Sequence, residues 1–485
     1  MTWNCQMKTH CNQKTFEFQA ENSRKIVAHF NGGNISSDSG GLLLKQTEQV
    51  TSIISQFADC FDDHRDPDLI EHSVKELLAQ RIYALALGYE DLNDHDELRN
   101  DPLLAVLVGK KDPTGKGRIR QRDKGKALAG KSMLNRLELT PVRANKRSRY
   151  KKITINKHMV DAFFVNVFLQ SYDKAPSTIV LDLDATDDPV HGHQLGRFFH
   201  GYYKNYCYLP LYIFCGDHLL CARLRPADID ASAGSVKELE RIVTQIRSRW
   251  PDVQIIIRGD SGFCRERIMF WCEANSVDYV LGLAKNERLK KEIAQELKQA
   301  KELHEQTSQP ERVFRDFEYK TLKSWSRSRR VVGKAEHLPK GANPRFVVTS
   351  LSIEQFDART LYEQQYCGRG DMENRIKEQQ LYLFADRTSA ATMRANQLRL
   401  WFSSVAYTLM NALRRLGLKG TKLARAQCNT IRLKLLKIGA QIKVTVRKVW
   451  VSLSESYPYQ QLFKQVYENL RRLCPIALPQ VPLRC

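Results

Sequence analysis

The sequence predicts an α/β core interrupted by a β-rich insertion, with an all-α region before it and a helical, basic region after it. Three observations carry this. From Pro176 onward, short runs of β-branched and apolar residues alternate with helix-spaced segments. Between residues 286 and 360 that alternation breaks into one charged helix and three strand-like runs. On both sides of these two blocks lie helix-spaced apolar residues, followed by long stretches of Lys and Arg. A chain of 485 residues, 42% hydrophobic, is long enough for several such units and too apolar for wholesale disorder.

The elements follow in order. Leu42 to Ile54, Ser73 to Leu87 and Leu103 to Val108 are apolar-rich, and Leu77, Leu78, Ile82 and Leu85 repeat at helical spacing. Asp101-Pro102 reads as a helix start, since Pro is tolerated in the first turn. Residues 109–131, rich in Gly, Lys and Arg, read as a mobile basic loop, and Lys131 to Leu139 as a short helix. Ser177 to Asp184 has the texture of a buried strand. Tyr208 to Cys215 and His218 to Leu224 follow as strands, joined by the hairpin signal Gly216-Asp217. A helix over Val236 to Arg249, a strand over Val253 to Ile257, a helix over Glu266 to Ala274 and a strand over Asp278 to Leu283 complete the series. Three strands with a hairpin, then alternating helices and strands, is the ribonuclease-H-like arrangement.

Residues 286–304 read as a charged helix, and Val313 to Tyr319, Arg329 to Gly333 and Arg345 to Ser350 as strands of a separate insertion. From Leu361 the chain is helical through Leu413 and then strongly basic. The expected division is an N-terminal segment 1–35, a helical region with a basic loop 36–170, core halves 171–285 and 361–415 flanking an insertion 286–360, and a basic region 416–485.

Several classes are excluded. The charge-free stretch from Leu400 to Leu413 is too short to span a bilayer, so no membrane association is expected. The first residues lack the charged-then-apolar order of a signal peptide. The 12 cysteines show no C-x-x-C pair, which points to a reducing cytoplasm without a structural metal. The net charge of +22 is concentrated: Lys110 to Lys157 holds 17 basic and 3 acidic residues, and Asn411 to Ser454 holds 11 basic and none acidic. Two separated basic blocks point to nucleic acid gripped in more than one place.

Against that background, isolated carboxylates stand out. Asp184 closes the first core strand, and Asp260, in Arg258-Gly-Asp-Ser-Gly-Phe263, closes the fourth. In the expected sheet these strands are neighbours, so both could face one pair of hard cations that prefer oxygen. Asp182 shares the sheet face of Asp184 and competes with it, but Asp184 lies at the accessible strand end. The third carboxylate lies in Tyr366-Cys-Gly-Arg369-Gly-Asp-Met-Glu373-Asn-Arg-Ile-Lys377. With Tyr366 at 0°, Arg369 falls at about 300°, Glu373 at about 340° and Lys377 at about 20° on a helix. One carboxylate is thereby flanked by phosphate-binding donors.

At these residues the chain resembles the DDE transposases of bacterial insertion sequences, in the superfamily with the Y-R-E-K signature and closest to DDE transposase group 1. The stretches that carry the resemblance are Leu181-Asp-Leu-Asp-Ala-Thr186, His191-Gly-His-Gln194, Arg258 to Phe263 and Tyr366 to Glu378. The resemblance implies a catalytic triad of Asp184, Asp260 and Glu373 holding two Mg²⁺ ions, with Mn²⁺ able to substitute. It implies phosphate contacts from Tyr366 and Arg369, and base stacking by Trp325, the one Trp of the insertion. The signature Lys, seven residues after the Glu, is here Gln380, so Lys377 one turn earlier is the expected replacement. His191 and His193 read as structural, since Mg²⁺ sites rarely use imidazole.

The implied function is Mg²⁺-dependent cleavage and strand transfer at the terminal inverted repeats of an insertion sequence, by cut-and-paste. The implied partners are double-stranded transposon-end and target DNA and a second copy of the chain in a synaptic homodimer, on the bacterial nucleoid in the cytoplasm. The alternatives are a ribonuclease-H-like endonuclease without strand transfer and a domesticated DNA-binding protein.

Overall fold

A computed structural model describes residues 15–22 and 24–473, and its centre is one mixed nine-stranded sheet. Its strands are β1 (Thr178–Ala185), β2 (Leu211–Cys215), β3 (His218–Arg223), β4 (Gln254–Gly259), β5 (Asp278–Leu283), β6 (Glu311–Tyr319), β7 (Arg329–Leu338), β8 (Gly341–Ala342) and β9 (Arg345–Thr349). The order across the sheet is β3-β2-β1-β4-β5-β9-β7-β6, with the short β8 on β7. β1, β4 and β5 run parallel, and the others pair antiparallel.

The parallel centre is covered on both faces, one of them apolar throughout and the other part apolar and part charged. Leu181, Leu183, Ile255, Ile257 and Leu281 face α1 (Ser235–Arg249) and α2 (Glu266–Ala274), packing on Leu239, Ile242, Ile246 and Met269. The opposite face of the sheet carries Ile256, Val280, Val332 and Val347, which pack under Leu361 and Tyr362. By the two-residue period of a strand, Asp182 and Asp184 alternate with Leu181 and Leu183 and so lie on this second face.

The insertion does not form a separate sheet. β9 pairs with β5, register Val280↔Thr349 to Leu283↔Phe346, and carries β7 and β6 with it. The expected charged helix is two, Glu287–Glu292 and Ala294–Thr307, lying against this extension through Leu289, Ile293 and Ala300. The local patterns of these strands were legible in the sequence; the edge they join was not.

The regions before and after the core also depart from the expected partition. The helices Val74–Leu87, Pro102–Val108 and Lys131–Glu138 form as expected, whereas the one expected over Leu42 to Ile54 is Gly41–Thr51, broken at the left-handed Ser52 and followed by Ile53–Ala58. Ser73 and Glu76 build a capping box, and Asp101 caps the helix that opens on Pro102. These helices share one apolar core with α4 (Met393–Ala412) and with C-terminal residues such as Leu435, Val466 and Leu470. Every residue from Leu400 to Ala412 is buried in it, and no helix among the described residues is long and apolar enough to cross a membrane.

Neither flanking region is purely helical. Phe16–Glu21 pairs with Arg24–Ala28, and Phe61–Asp63 with Ile153–Ile155. In the basic C-terminal stretch, Ala440–Val444 and Val449–Leu453 form a hairpin that recruits Asn34–Ser36. Here Ile442, Val444, Val449, Val451 and Leu453 alternate with Gln441, Lys443, Trp450 and Ser452, a two-residue period that the charge obscured. The loop 109–131 is anchored as well: Arg118 pairs with Glu71 at 3.1 Å and donates to the carbonyl of Lys126.

Candidate active site

Arg258 organises the second sheet face. Its Nη2 donates to Asp182 Oδ2 at 2.8 Å, with Nε on the other oxygen, and Nη1 reaches the carbonyl of Gln365. One guanidinium thus ties β4 to β1 and both to the helical segment that crosses above them. That segment approaches closely at Gly368, where a Cβ would lie 2.6 Å from Arg258 Nη1. Asp182 is 3% exposed, and burial raises its carboxyl even with Arg258 opposing. Asp182 is thereby committed to a fork-to-fork ion pair with Arg258.

Asp184 has no comparable partner. Its Oδ1 accepts from the amide of Ala185 at 2.8 Å, and Arg369 Nη1 stands 3.9 Å from its Oδ2. Burial pushes its carboxyl up to about 7, Arg369 draws it down, and Asp260 and Glu373 push it up. Asp260 follows Gly259 at the end of β4, the strand beside β1, and accepts from the amide of Gly262 at 2.8 Å.

The segment above the sheet is not one uniform α-helix. Leu361–Tyr366 is wound as a π-helix, Cys367–Arg369 as a 3₁₀ turn, α3 spans Gly370–Lys377, and Glu378–Tyr382 is again π. Arg369 Nη2 pairs with Glu373 at 2.7 Å, as their four-residue spacing predicts, so one guanidinium reaches Glu373 and Asp184. Tyr366 reaches the same place. A Cβ at Gly282 would lie 2.5 Å from Tyr366 Oη and 3.1 Å from the amide nitrogen of Ser261, so only glycine admits the phenol beside the Asp260 turn. Burial raises the Tyr366 phenol, with the charge of Asp260 adding to it.

Asp184, Asp260, Glu373, Tyr366 and Arg369 are therefore brought together, while Lys377 and Trp325 are not. Lys377 is exposed and makes no ion pair among the described residues. Gln380 is the residue that turns inward, its Nε2 donating to the carbonyl of Asp187 at 3.0 Å, just beyond the end of β1. Trp325 is 5% exposed, packed edge-on against Tyr319 at 5.8 Å with Arg329 over its ring. A base could stack on it only after that packing opened. Sequence reasoning missed Arg258 as the organiser, although it lies inside a recognised motif, and it missed Glu378, the fully buried anchor of α3.

The oxygen-only donor set, with a buried carboxyl repelled by two acidic neighbours, has the chemistry of a divalent-cation site. The three carboxylates are not drawn into one coordination sphere here; among the described residues no group of three His, Cys, Asp or Glu is close enough to hold an ion. Arg369 supplies the positive charge between Asp184 and Glu373.

The family described as transposase DDE domain group 1 matches residues 18–475. No curated protein matches the chain. A piggyBac transposase synaptic complex with hairpin DNA, solved by cryo-electron microscopy, aligns at 13% identity over 92% of this chain and 87% of its own, with a TM-score of 0.40. The family match, which spans nearly the whole chain, places it: this protein belongs to the transposase DDE domain group 1 family of DNA transposase enzymes.

Proposed function

We propose that the chain binds the terminal inverted repeats of an insertion sequence, cleaves the DNA there and joins the freed ends to target DNA. The observation that carries this reading is Arg369 lying between Asp184 and Glu373, carboxylates from distant chain segments, with Asp260 and Tyr366 beside them. The sheet order β3-β2-β1-β4-β5, with Asp184 and Asp260 at the ends of the two central parallel strands, supports a ribonuclease-H-like core.

In this reading Asp184, Asp260 and Glu373 hold the divalent ions that DDE transposases use. When bound, two Mg²⁺ ions would supply Lewis-acid stabilisation of the charge that develops as a phosphodiester is broken. The chain's own groups do the rest. Arg369, released from the carboxylates, offers a fork of donors to the phosphate being cut, and Tyr366 Oη orients a neighbouring phosphate oxygen. Hydrolysis leaves a 3′-OH, which then attacks a target phosphodiester, so one P–O bond forms as another breaks. Gln380 takes the signature position as a neutral donor near the end of β1, leaving Lys377 available to solvent and to the DNA backbone.

The basic blocks provide the grip, with part of the charge already used internally. Arg414 pairs with buried Glu378, Arg432 donates to the carbonyls of Ala86 and Tyr382, and Lys437 pairs with Asp38 at 2.6 Å. Exposed Lys419, Lys422, Arg425, Lys443, Arg447 and Lys448 remain for phosphate. A synaptic homodimer bridging two ends on the bacterial nucleoid completes the proposal.

The test is incubation with labelled duplex carrying the element's own ends. Mg²⁺ or Mn²⁺ is expected to support a cut at the repeat boundary, and a pre-cleaved end is expected to become joined to a target plasmid. Chelation should stop both. Cutting without joined products would leave only an endonuclease, and binding without either would leave a domesticated DNA-binding protein.

A further inference from the structure

The segment that leaves β1 carries an exposed aromatic surface that the catalytic arrangement does not use. After Asp184 the chain forms a small three-stranded sheet in which Asn205–Tyr208 pairs with both Asp188–Pro189 and Phe198–His200. Phe199 and Tyr206 stand directly opposite each other, 57% and 50% exposed, with ring centroids 5.6 Å apart. Arg197 lies over the Tyr206 ring at 4.5 Å, and Tyr202 at the hairpin tip is 83% exposed. The hairpin is tied to the catalytic strand, since Tyr203 Oη donates to the carbonyl of Ala185 at 3.1 Å. No acidic residue occurs between Asp188 and Asp217, while Arg197 and Lys204 do.

We propose that this hairpin is a stacking platform for an unpaired DNA strand beside the cleavage site, with Phe199, Tyr202 and Tyr206 receiving bases and Arg197 and Lys204 holding the backbone. The proposal rests on the reading of the chain as a DNA-cleaving transposase and extends it to a binding site outside the carboxylates. Flat exposed rings interleaved with cations, on a stretch that carries no acidic residue of its own, match the chemistry of single strands, whose bases offer faces that a duplex keeps stacked internally. Position supports the same occupant, because unpaired nucleotides arise where a strand is cut, and the hairpin is bonded to the residue after Asp184. A second copy of the chain fits less well, since a self-contact would set the Arg197 and Lys204 cations against their own counterparts.

The experiment measures the affinity of the full chain for an oligothymidine and for a duplex of equal length. Wild type is expected to bind both. In the F199A/Y202A/Y206A variant the ratio of single-strand to duplex affinity should fall by about tenfold or more for each ring that stacks. Tyr202→Ala alone, at the exposed tip, repeats the measurement if the triple variant does not fold. A 5-bromodeoxyuridine strand should crosslink to the peptide spanning residues 198–206. An unchanged ratio in both variants, crosslinks confined to other peptides, or loss of self-association instead of single-strand binding would overturn the proposal. Cleavage of duplex ends by wild type is scored separately. If cleavage is absent while the ratio falls, the transposase reading fails and the platform stands; if cleavage occurs with an unchanged ratio, only the platform fails.

Discussion

Replacing Glu373 by Gln is expected to lower strand cleavage by about a hundred- to a thousandfold, the scale on which electrostatic groups at a reaction centre act, while end binding survives. The amide is nearly isosteric, and its oxygen can still accept from Arg369, which pairs with Glu373 at 2.7 Å. The substitution therefore removes a charge from the acidic cluster without removing the contact that holds the helix. Asp184→Asn should behave alike, because Asp184 has only the Ala185 amide and the more distant Arg369 as partners. The measurement is release of the labelled strand at the repeat boundary, alongside a mobility-shift titration of the same DNA. Cleavage by Glu373→Gln within a factor of a few of wild type would remove Glu373 from the site.

The second large effect concerns stability. Glu378 is wholly buried, and its carboxylate accepts from Arg375, from Arg414 at 3.2 Å and from the amide of Cys428 at 2.9 Å. Arg414 is itself 5% exposed, so Glu378→Ala would strand a buried guanidinium and an amide together. Breaking a buried ion pair from one side costs about 3–5 kcal/mol, and Tm should fall by several degrees. Cleavage should fall as well, because Arg375 also pairs with Asp217 at the β2–β3 turn, so this cluster clamps the helix that carries Glu373. Differential scanning fluorimetry checks the first effect, and an unchanged Tm would show that the cluster carries no net stability.

The two substitutions separate what was legible from what was not. Glu373 could be singled out because an i,i+4 partner and a flanking Tyr are local facts, readable from helical spacing. Glu378, five residues later, carries no such local mark of its burial, because its partners Arg414 and Cys428 are 36 and 50 residues away. The same limit explains Asp182. Its shared face with Asp184 followed from strand period, but its capture by Arg258 joins residues 76 apart. Lys377 and Gln380 show a subtler case, since a π-wound turn at Glu378–Tyr382 departs from the regular 3.6-residue spacing. Trp325 was singled out by residue type, and type says nothing of whether a ring is buried.

The sequence by itself determined most elements of the core, the strand-end positions of Asp184 and Asp260, and the four-residue spacing of Arg369 and Glu373, because each depends on residues within a few turns or a single strand. The tertiary structure alone decided that the insertion strands extend the core sheet through β5 and β9, and that the N- and C-terminal regions share one core around α4. It also decided which charges are spent inside the protein and which face solvent. These outcomes depend on pairings and burial between distant segments, where several partners satisfy the same local pattern and packing selects among them.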